Sequence, residues 1–379
     1  MAVSQWTYKF YDLVTHSFLG TLPLTNVSFS QALNTPGSFS GQMSLKDNRV
    51  QALTPADITQ PGRAALYVDY GGVIVWGGIV QTRTFSRSSG TISISGQQSW
   101  SYFQQRLLAN DYSTTWSTIP SAPNFIAAGI INDAMTAGNI GGNGSGGTTN
   151  GIQISYYGFM PTSAYITPSY PITQPQTVDS VVTQLAQMGY TLGFDFSLDA
   201  AYNSAGIPAL YLSFWYPRRG RIAGSTGLTI NTAGAIDYEY PEDATKAANK
   251  IVETGSGSGV TQIPVQDLVP VQQGYPLLER VISASNVSDP TVITNLAKYN
   301  LAMYHYPVAT PTITLPVDYV ACPLGQYITG DDVRWIIDQD ERFLASQDAF
   351  WRIVQFDVTV PERGIATQKI TLNPPPVQF

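Results

Sequence analysis

The sequence predicts a mainly β fold with an α+β insert. Three observations carry this. Short runs of alternating apolar and polar residues fill the first hundred positions and return in the last third. The 379 residues include 33 Gly and 25 Pro, the residues of turns, and 22 Tyr, 15 Phe and 7 Trp, which suit short strands. Between the two β regions the apolar period becomes helical. At ~150 residues per domain the length corresponds to two or three domains.

From Trp6 to Ser44, the runs WTYKFYDL, LPLTNVSFSQAL and GSFSGQMSL each read as strands. RAALYVDYGGVIVWGGIVQTRT, Arg63 to Thr84, reads as two apolar strands joined by a two-residue primed turn at Gly71-Gly72, where positive φ is required. Its only charges are Arg63, Asp69 and Arg83, so both of its faces need cover. Gly77-Gly78 interrupts the return strand and is expected to mark a bulge or a barrel corner. TFSRSSGTISISG adds a further hairpin, and five to seven strands in this space make a small barrel or sandwich. A short helix at QSWSYFQQRLLA, carrying Trp100, Phe103 and Leu107, closes it.

The insert follows. PNFIAAGIINDAMTAG puts Phe125, Ile126, Ile130 and Met135 near one helical face, and NIGGNGSGGTTNG has linker composition. In TVDSVVTQLAQMGYTLGFDFSLD, Thr177 caps a helix whose face is Val178, Val181, Val182 and Leu185, and Gly189 ends it. A strand from Tyr190 to Leu198 follows, and ALYLSFWYPRRGR pairs with it. The last third carries one helix, begun by Asp289 before Pro290, then three strands at DDVRWIID, DAFWRIVQFDVTV and ATQKITL. The expected boundaries are 1–103 for the first β unit, 104–222 for the insert, 223–372 for the second β unit with connecting segments and a helix, and 373–379 for a tail.

The two β regions repeat a pattern. Trp76, Ile79-Val80-Gln81, a turn ending at Gly90 and the strand TISIS match Trp351, Ile353-Val354-Gln355, a turn ending at Gly364 and ATQKITL. Ten positions separate Val80 from Gly90, and ten separate Val354 from Gly364. The alignment sets Ile79 on Ile353 and Val80 on Val354, with a bulge absorbing the extra glycine. Matches of this length also arise by chance in β proteins, so the pattern alone leaves duplication open.

Charge and chemistry narrow the function. Charged residues are 12% of the chain, against about 25% in ordinary globular proteins, which suits a surface covered in an assembly, though β-rich adhesins and secreted hydrolases share this composition. A net charge of −7 argues against a phosphate-neutralising nucleic-acid clamp. Cys322 is the only cysteine, so there is no intrachain disulfide framework and no C-x-x-C pair for zinc. The start MAVSQWTYKFYDLV lacks the pattern of a signal peptide, and no run approaches the ~20 apolar residues of a membrane span. Synthesis in the cytoplasm is expected.

Candidate catalytic residues are sparse. His16 and His305, the only histidines, fall in different β regions, and no G-x-S-x-G elbow occurs. GSGSG, Gly255 to Gly259, lacks the Lys-Ser/Thr of a phosphate loop and reads as a connector. DQDER, Asp338 to Arg342, begins like a calcium loop but lacks its glycine and closing glutamate, and reads as a hairpin turn. Asp331, Asp332, Asp338 and Glu341 offer carboxylates for glycoside hydrolysis, though nothing selects a pair. Surface Tyr and Trp leave carbohydrate binding open as an alternative; Trp76, in an apolar run, reads instead as a buried anchor. The expectation is no enzyme activity, no catalytic, cofactor-binding or metal residues, and no cofactor.

FYDLVTHSFLGTLPLTNVSFSQALNTPGSFSGQMSL, the ALYVDYGGVIVWGGIV hairpin, WYPRRGR, YEYPEDATKAANKIVETGSGSG and DAFWRIV together resemble minor tail proteins of long-tailed actinobacterial bacteriophages. Within these the chain is similar to the tail-tip (baseplate) hub. The resemblance implies a homotrimer with two tube-type β-barrel domains per chain, related by internal duplication, plus an accessory α+β domain. It implies a virion protein at the tail tip, synthesised in the host cytoplasm, joining the six-fold tail tube and distal tail ring to the three-fold tip. Its implied partners are the distal tail protein, the tail tube, the tape-measure protein, other tip or receptor-binding proteins, and DNA in transient passage through a central channel. Some relatives carry a C-terminal fibre or peptidoglycan hydrolase; this chain runs to NPPPVQF without one, so wall cleavage is not expected of it. The acidic balance would then suit a channel wall that does not hold phosphates, and equally would aid solubility.

Overall fold

The computed structural model describes residues 5–115, 121–136, 152, 154–159, 162, 165–188, 192–255, 262–284, 290–338 and 344–374. Seven strands occupy the first hundred residues: β1 (Trp6–Asp12), β2 (Phe18–Thr21), β3 (Thr25–Ala32), β4 (Ser38–Ser44), β5 (Ala64–Tyr70), β6 (Val73–Ser86) and β7 (Thr91–Gln98). Two single-turn helices, α1 (Asn48–Gln51) and α2 (Pro55–Ile58), lead from β4 to β5. Gly71 and Gly72, at φ 60° and 90°, make the tight turn between β5 and β6 that their sequence called for.

The insert comprises α3 (Ser101–Gln104), α4 (Pro123–Thr136), β8 (Ile154–Phe159), α5 (Val178–Ala186), β9 (Asp195–Tyr202) and β10 (Pro208–Trp215). Its sheet runs β8-β10-β9, with β10 parallel to β8 and antiparallel to β9. Thr177 caps α5 by accepting from the Ser180 amide at 3.2 Å, and Val178, Val181, Val182 and Leu185 are fully buried. The following strand starts at Asp195, later than Tyr190; Gly189 and the linker at 139–151 lie outside the described residues. Helix α3 is only one turn. Trp100 and Phe103 are buried there, but Leu107 is past its end and exposed, its backbone bridged to Thr177. On α4, Ile126 and Ile130 are buried while Phe125 faces out, so the predicted face is rotated toward Ile131 and Ala134.

The remainder holds β11 (Thr229–Asn231), β12 (Asp237–Glu239), β13 (Glu242–Asp243), β14 (Lys250–Thr254), β15 (Gln262–Gln266), α6 (Val269–Gln272), β16 (Glu279–Ser283), α7 (Pro290–Tyr304), β17 (Val308–Ala309), β18 (Thr312–Pro316), β19 (Asp332–Ile337), β20 (Gln347–Val360) and β21 (Thr367–Asn373). Strands β15-β14-β16 form a separate small sheet under α7, a second α+β unit that the alternation alone did not reveal.

The two β regions form one sheet of 13 strands, ordered β12-β18-β21-β20-β3-β4-β7-β6-β5-β1-β2, with β11 and β19 attached beside β20. The seam is β3 against β20, from Val27–Val360 to Ala32–Gln355. One apolar core runs through both regions, from Phe10, Val27, Phe39 and Trp76 to Trp335, Ile353, Val358 and Ile370. The insert packs its own core on the opposite face of β5 and β6, against Ala65, Tyr67, Ile74 and Ile79. That is what covers the second face of the apolar hairpin.

Gly77 and Gly78 are not a bulge. Both stay in register with Tyr67 and Leu66, and the bulges of β6 fall at Val75 and Gln81. The glycines provide room. A Cβ on Gly77 would stand 2.4 Å from Cβ of Ala200 in β9, and one on Gly78 would stand 2.3 Å from the Trp76 ring.

The repeated pattern has matching topology and a shifted register. Hairpins β5-β6-β7 and β19-β20-β21 have the same connections, and Gly90 and Gly364, at φ 66° and 110°, both lie in the second turn. The bulge on the second strand falls at Gln81 in one and Val354 in the other. Counting from the bulge, Val80 corresponds to Ile353, one residue away from the alignment drawn on sequence. A one-residue slip reverses the face. Val80 and Ile353 indeed share the common core, whereas Ile79 faces the insert.

Candidate functional site

The most extensive feature is the outer face of the sheet from β18 to β6. Strand alternation buries Val27, Phe29, Phe39, Met43, Ile92, Ile94, Phe356, Val358 and Ile370 on one side. The residues between them face outward, and register aligns them. Thr367 pairs with Thr359, Thr359 with Ser28, Ser28 with Ser40, Ser40 with Ser95, and Ser95 with Thr82. Six hydroxyl residues thus form one row across six strands, ~24 Å at 4.8 Å per strand. Ser28 and Ser40 hydroxyls are 2.8 Å apart and those of Thr82 and Ser95 2.5 Å. Flanking rows add Gln42, Ser93 and Thr84 on one side and Ser30, Ser38 and Gln97 on the other.

Charge is scarce on this face. Asp357 stands opposite Lys369, and Lys369 also bonds Glu239 at 3.1 Å. Away from Lys369, this surface of hydroxyls and amides holds water well, offers little cationic charge to phosphate and little apolar area to a protein partner. The net charge of −7 is therefore not concentrated on this face.

A second feature is a buried ionic junction around WYPRRGR. Arg218 donates to Asp332 at 2.5 Å, Arg221 to Asp331 at 2.6 Å and Arg219 to Asp199 at 2.8 Å. Asp195 accepts from Arg352, from the Arg219 amide at 2.6 Å and from Asn34 at 2.8 Å. Gly220, at φ 93°, passes so close to Gly330 that a Cβ would stand 2.1 Å from its carbonyl carbon. The junction bolts the insert to the second β region.

The sequence candidates fall as follows. Asp331 and Asp332 come together, but as buried partners of Arg221 and Arg218 rather than as an acid–base pair. Asp338 is exposed, and Glu341, with most of DQDER, lies outside the described residues, as does GSGSG beyond Gly255. His16 sits in a turn at φ 55°, its imidazole pKa lowered by burial, and His305 lies 3.6 Å from Asp267. Cys322 is buried and its thiol is pushed up to about 12 by burial. Among the described residues no group of His, Cys, Asp and Glu could hold a metal ion, and no helix is long and apolar enough to cross a membrane. The described tryptophans are all buried or half-buried; Trp76 is 1% exposed, with Nε1 donating to the Ser30 carbonyl at 3.1 Å and its ring 5.2 Å from Phe39. The hydroxyl rows were missed on sequence, although SFSGQMS and TISIS carry the alternating Ser/Thr, and FDVTV the Thr359, that build them.

No protein-family profile matches the sequence, and no curated protein matches it. The fold is shared with phage tail proteins. The 43 kDa tail protein of prophage MuSo2 from Shewanella oneidensis superposes with a TM-score of 0.64 at 12% identity, covering 97% of this chain and 98% of that one. A tail protein from Neisseria meningitidis gives 0.61 at 12% identity, over 97% and 96%. A prophage tail protein from Listeria monocytogenes gives 0.59 at 12% identity, over 98% and 95%. The likeness takes in the large sheet and both smaller units.

Proposed function

We propose that this chain is a structural protein of a phage-type tail, a homotrimeric hub at the tail tip. The observation that carries the reading is the neutral hydroxyl face, running unbroken across both β regions of a fold shared end to end with tail proteins. Three chains with two similar β units each present six units around one axis, which matches a six-fold tube on one side and a three-fold tip on the other. The unit boundaries near residues 103 and 222 belong to this reading. The hydroxyl face lines the channel, where DNA passes without being held, and the insert, on the opposite side of β5 and β6, stands outside the ring. The distal tail ring, tail tube, tape-measure protein and tip proteins are its neighbours. It has no catalytic role.

Two measurements test this. Mass photometry of purified protein and a map of the tail tip should give three copies; a monomer in solution together with a tip lacking three copies overturns the trimer. Replacing Ser40, Ser95 and Thr359 by Lys should leave particles assembled but slow DNA ejection, with recovery at higher salt. Unchanged ejection removes the face from the channel, and failed assembly makes it a subunit interface instead.

A further inference from the structure

A cleft of about 710 Å³ opens between the two α+β units, within the ~300–1,000 Å³ typical of ligand sites. Gln187 and Met188 line it after α5, Glu253 comes from β14, and Asn300 and Tyr304 come from α7. Arg352 of β20 reaches it from the large sheet.

Glu253 is the unusual member. It is 2% exposed and shares the covered face of β14 with Ile251, where the alternation calls for an apolar residue. One carboxylate oxygen accepts from Asn300 Nδ2 at 2.9 Å, and the other has no partner among the described residues. No described Lys or Arg pairs with it, and burial pushes its carboxyl up. The nearby arginines are engaged elsewhere, Arg352 with Asp195 and Arg218 with Asp332. A buried carboxylate without a cation is costly, and a cation brought from outside relieves that cost. The amide, aromatic and thioether groups around it suit the methylene stem of a basic side chain.

We propose that the cleft takes a basic side chain of a partner polypeptide, a lysine ammonium or an arginine guanidinium, against the free oxygen of Glu253. The cleft lies within one chain, so the proposal does not depend on the trimer. Because its walls come from both α+β units, the incoming residue would also tie them together.

The test uses the full chain and acetylated, amidated Ala-X-Ala peptides with X as lysine, arginine or norleucine, titrated by NMR at pH 7. The lysine or arginine peptide should bind at least about tenfold more tightly than the norleucine peptide, with the better of the two naming the cation. Glu253→Gln, which keeps the shape and the amide partner, should abolish that preference. In the wild type the preference should fall away at pH 4, where Glu253 is protonated, because burial holds its carboxyl above the ordinary 4.5. Equal binding of the norleucine peptide, no binding of any peptide, or a preference that survives Glu253→Gln overturns the proposal. Should Glu253→Gln fail to fold, a wild-type preference that is the same at pH 4 as at pH 7 overturns it equally.

Discussion

Arg352 of β20 donates to Asp195 of β9 across 157 residues of chain, with both side chains buried. The same carboxylate receives Asn34 from the turn between β3 and β4 and the Arg219 amide from the end of the insert. Three segments remote in sequence are thereby fixed to one side chain. The consequences can be measured.

Asp195→Ala leaves the Arg352 charge buried and unpaired, so a stability loss of about 3–5 kcal/mol is expected in urea unfolding. Adding Arg352→Met should recover part of that loss, because it removes the orphaned charge. A double variant no better than the single one would show that the pair is not coupled.

Gly77→Ala sets a methyl against Ala200 and should cost roughly 1–3 kcal/mol. Ala200→Gly empties the opposing space. The combination should be more stable than Gly77→Ala alone, and thermal unfolding of the four proteins of that cycle decides it.

Trp76→Ala should cost about 3–5 kcal/mol, as a buried aromatic between Phe39 and the Ser30 carbonyl. A loss below about 1 kcal/mol, combined with impaired particle adsorption, would mean a binding role in place of a packing one.

Asp12 gives an acid-limb prediction. The Thr15 amide, then Arg63 and the Val14 amide, hold its carboxyl down at about 2 from the ordinary 3.8. A depressed folded-state pKa contributes stability above the unfolded value, and that stability is lost as pH falls through the folded one. Wild type should therefore weaken between about pH 4 and pH 2 more steeply than Asp12→Asn. Parallel curves for the two proteins would exclude Asp12 from this limb.

The local units were legible in the sequence because their causes are local. Gly71-Gly72 can take the positive φ of a primed turn, Thr177 lies one residue before a helix with a continuous Val and Leu face, and alternation buries one side of β1, β3, β4 and β7. What lay beyond reach was register between distant strands. The row from Thr367 to Thr82 exists only because β20 pairs with β3, bringing together hydroxyls more than three hundred residues apart in sequence. The same holds for Ile353, whose partner in the repeat is Val80 once the bulges are counted, and for Gly77, whose reason is Ala200 of another unit. Asp331 and Asp332 looked like free carboxylates until the insert brought Arg221 and Arg218 onto them. Side-chain alternation and turn chemistry are properties of a few neighbouring residues, so the sequence alone determined the strands of the first hundred residues, the capped helix after Thr177 and the mainly β class. Pairing, cover and charge neutralisation depend on contacts between remote segments, and tertiary structure alone decided which face is hydroxyl, which charges are buried, and where the two β regions meet.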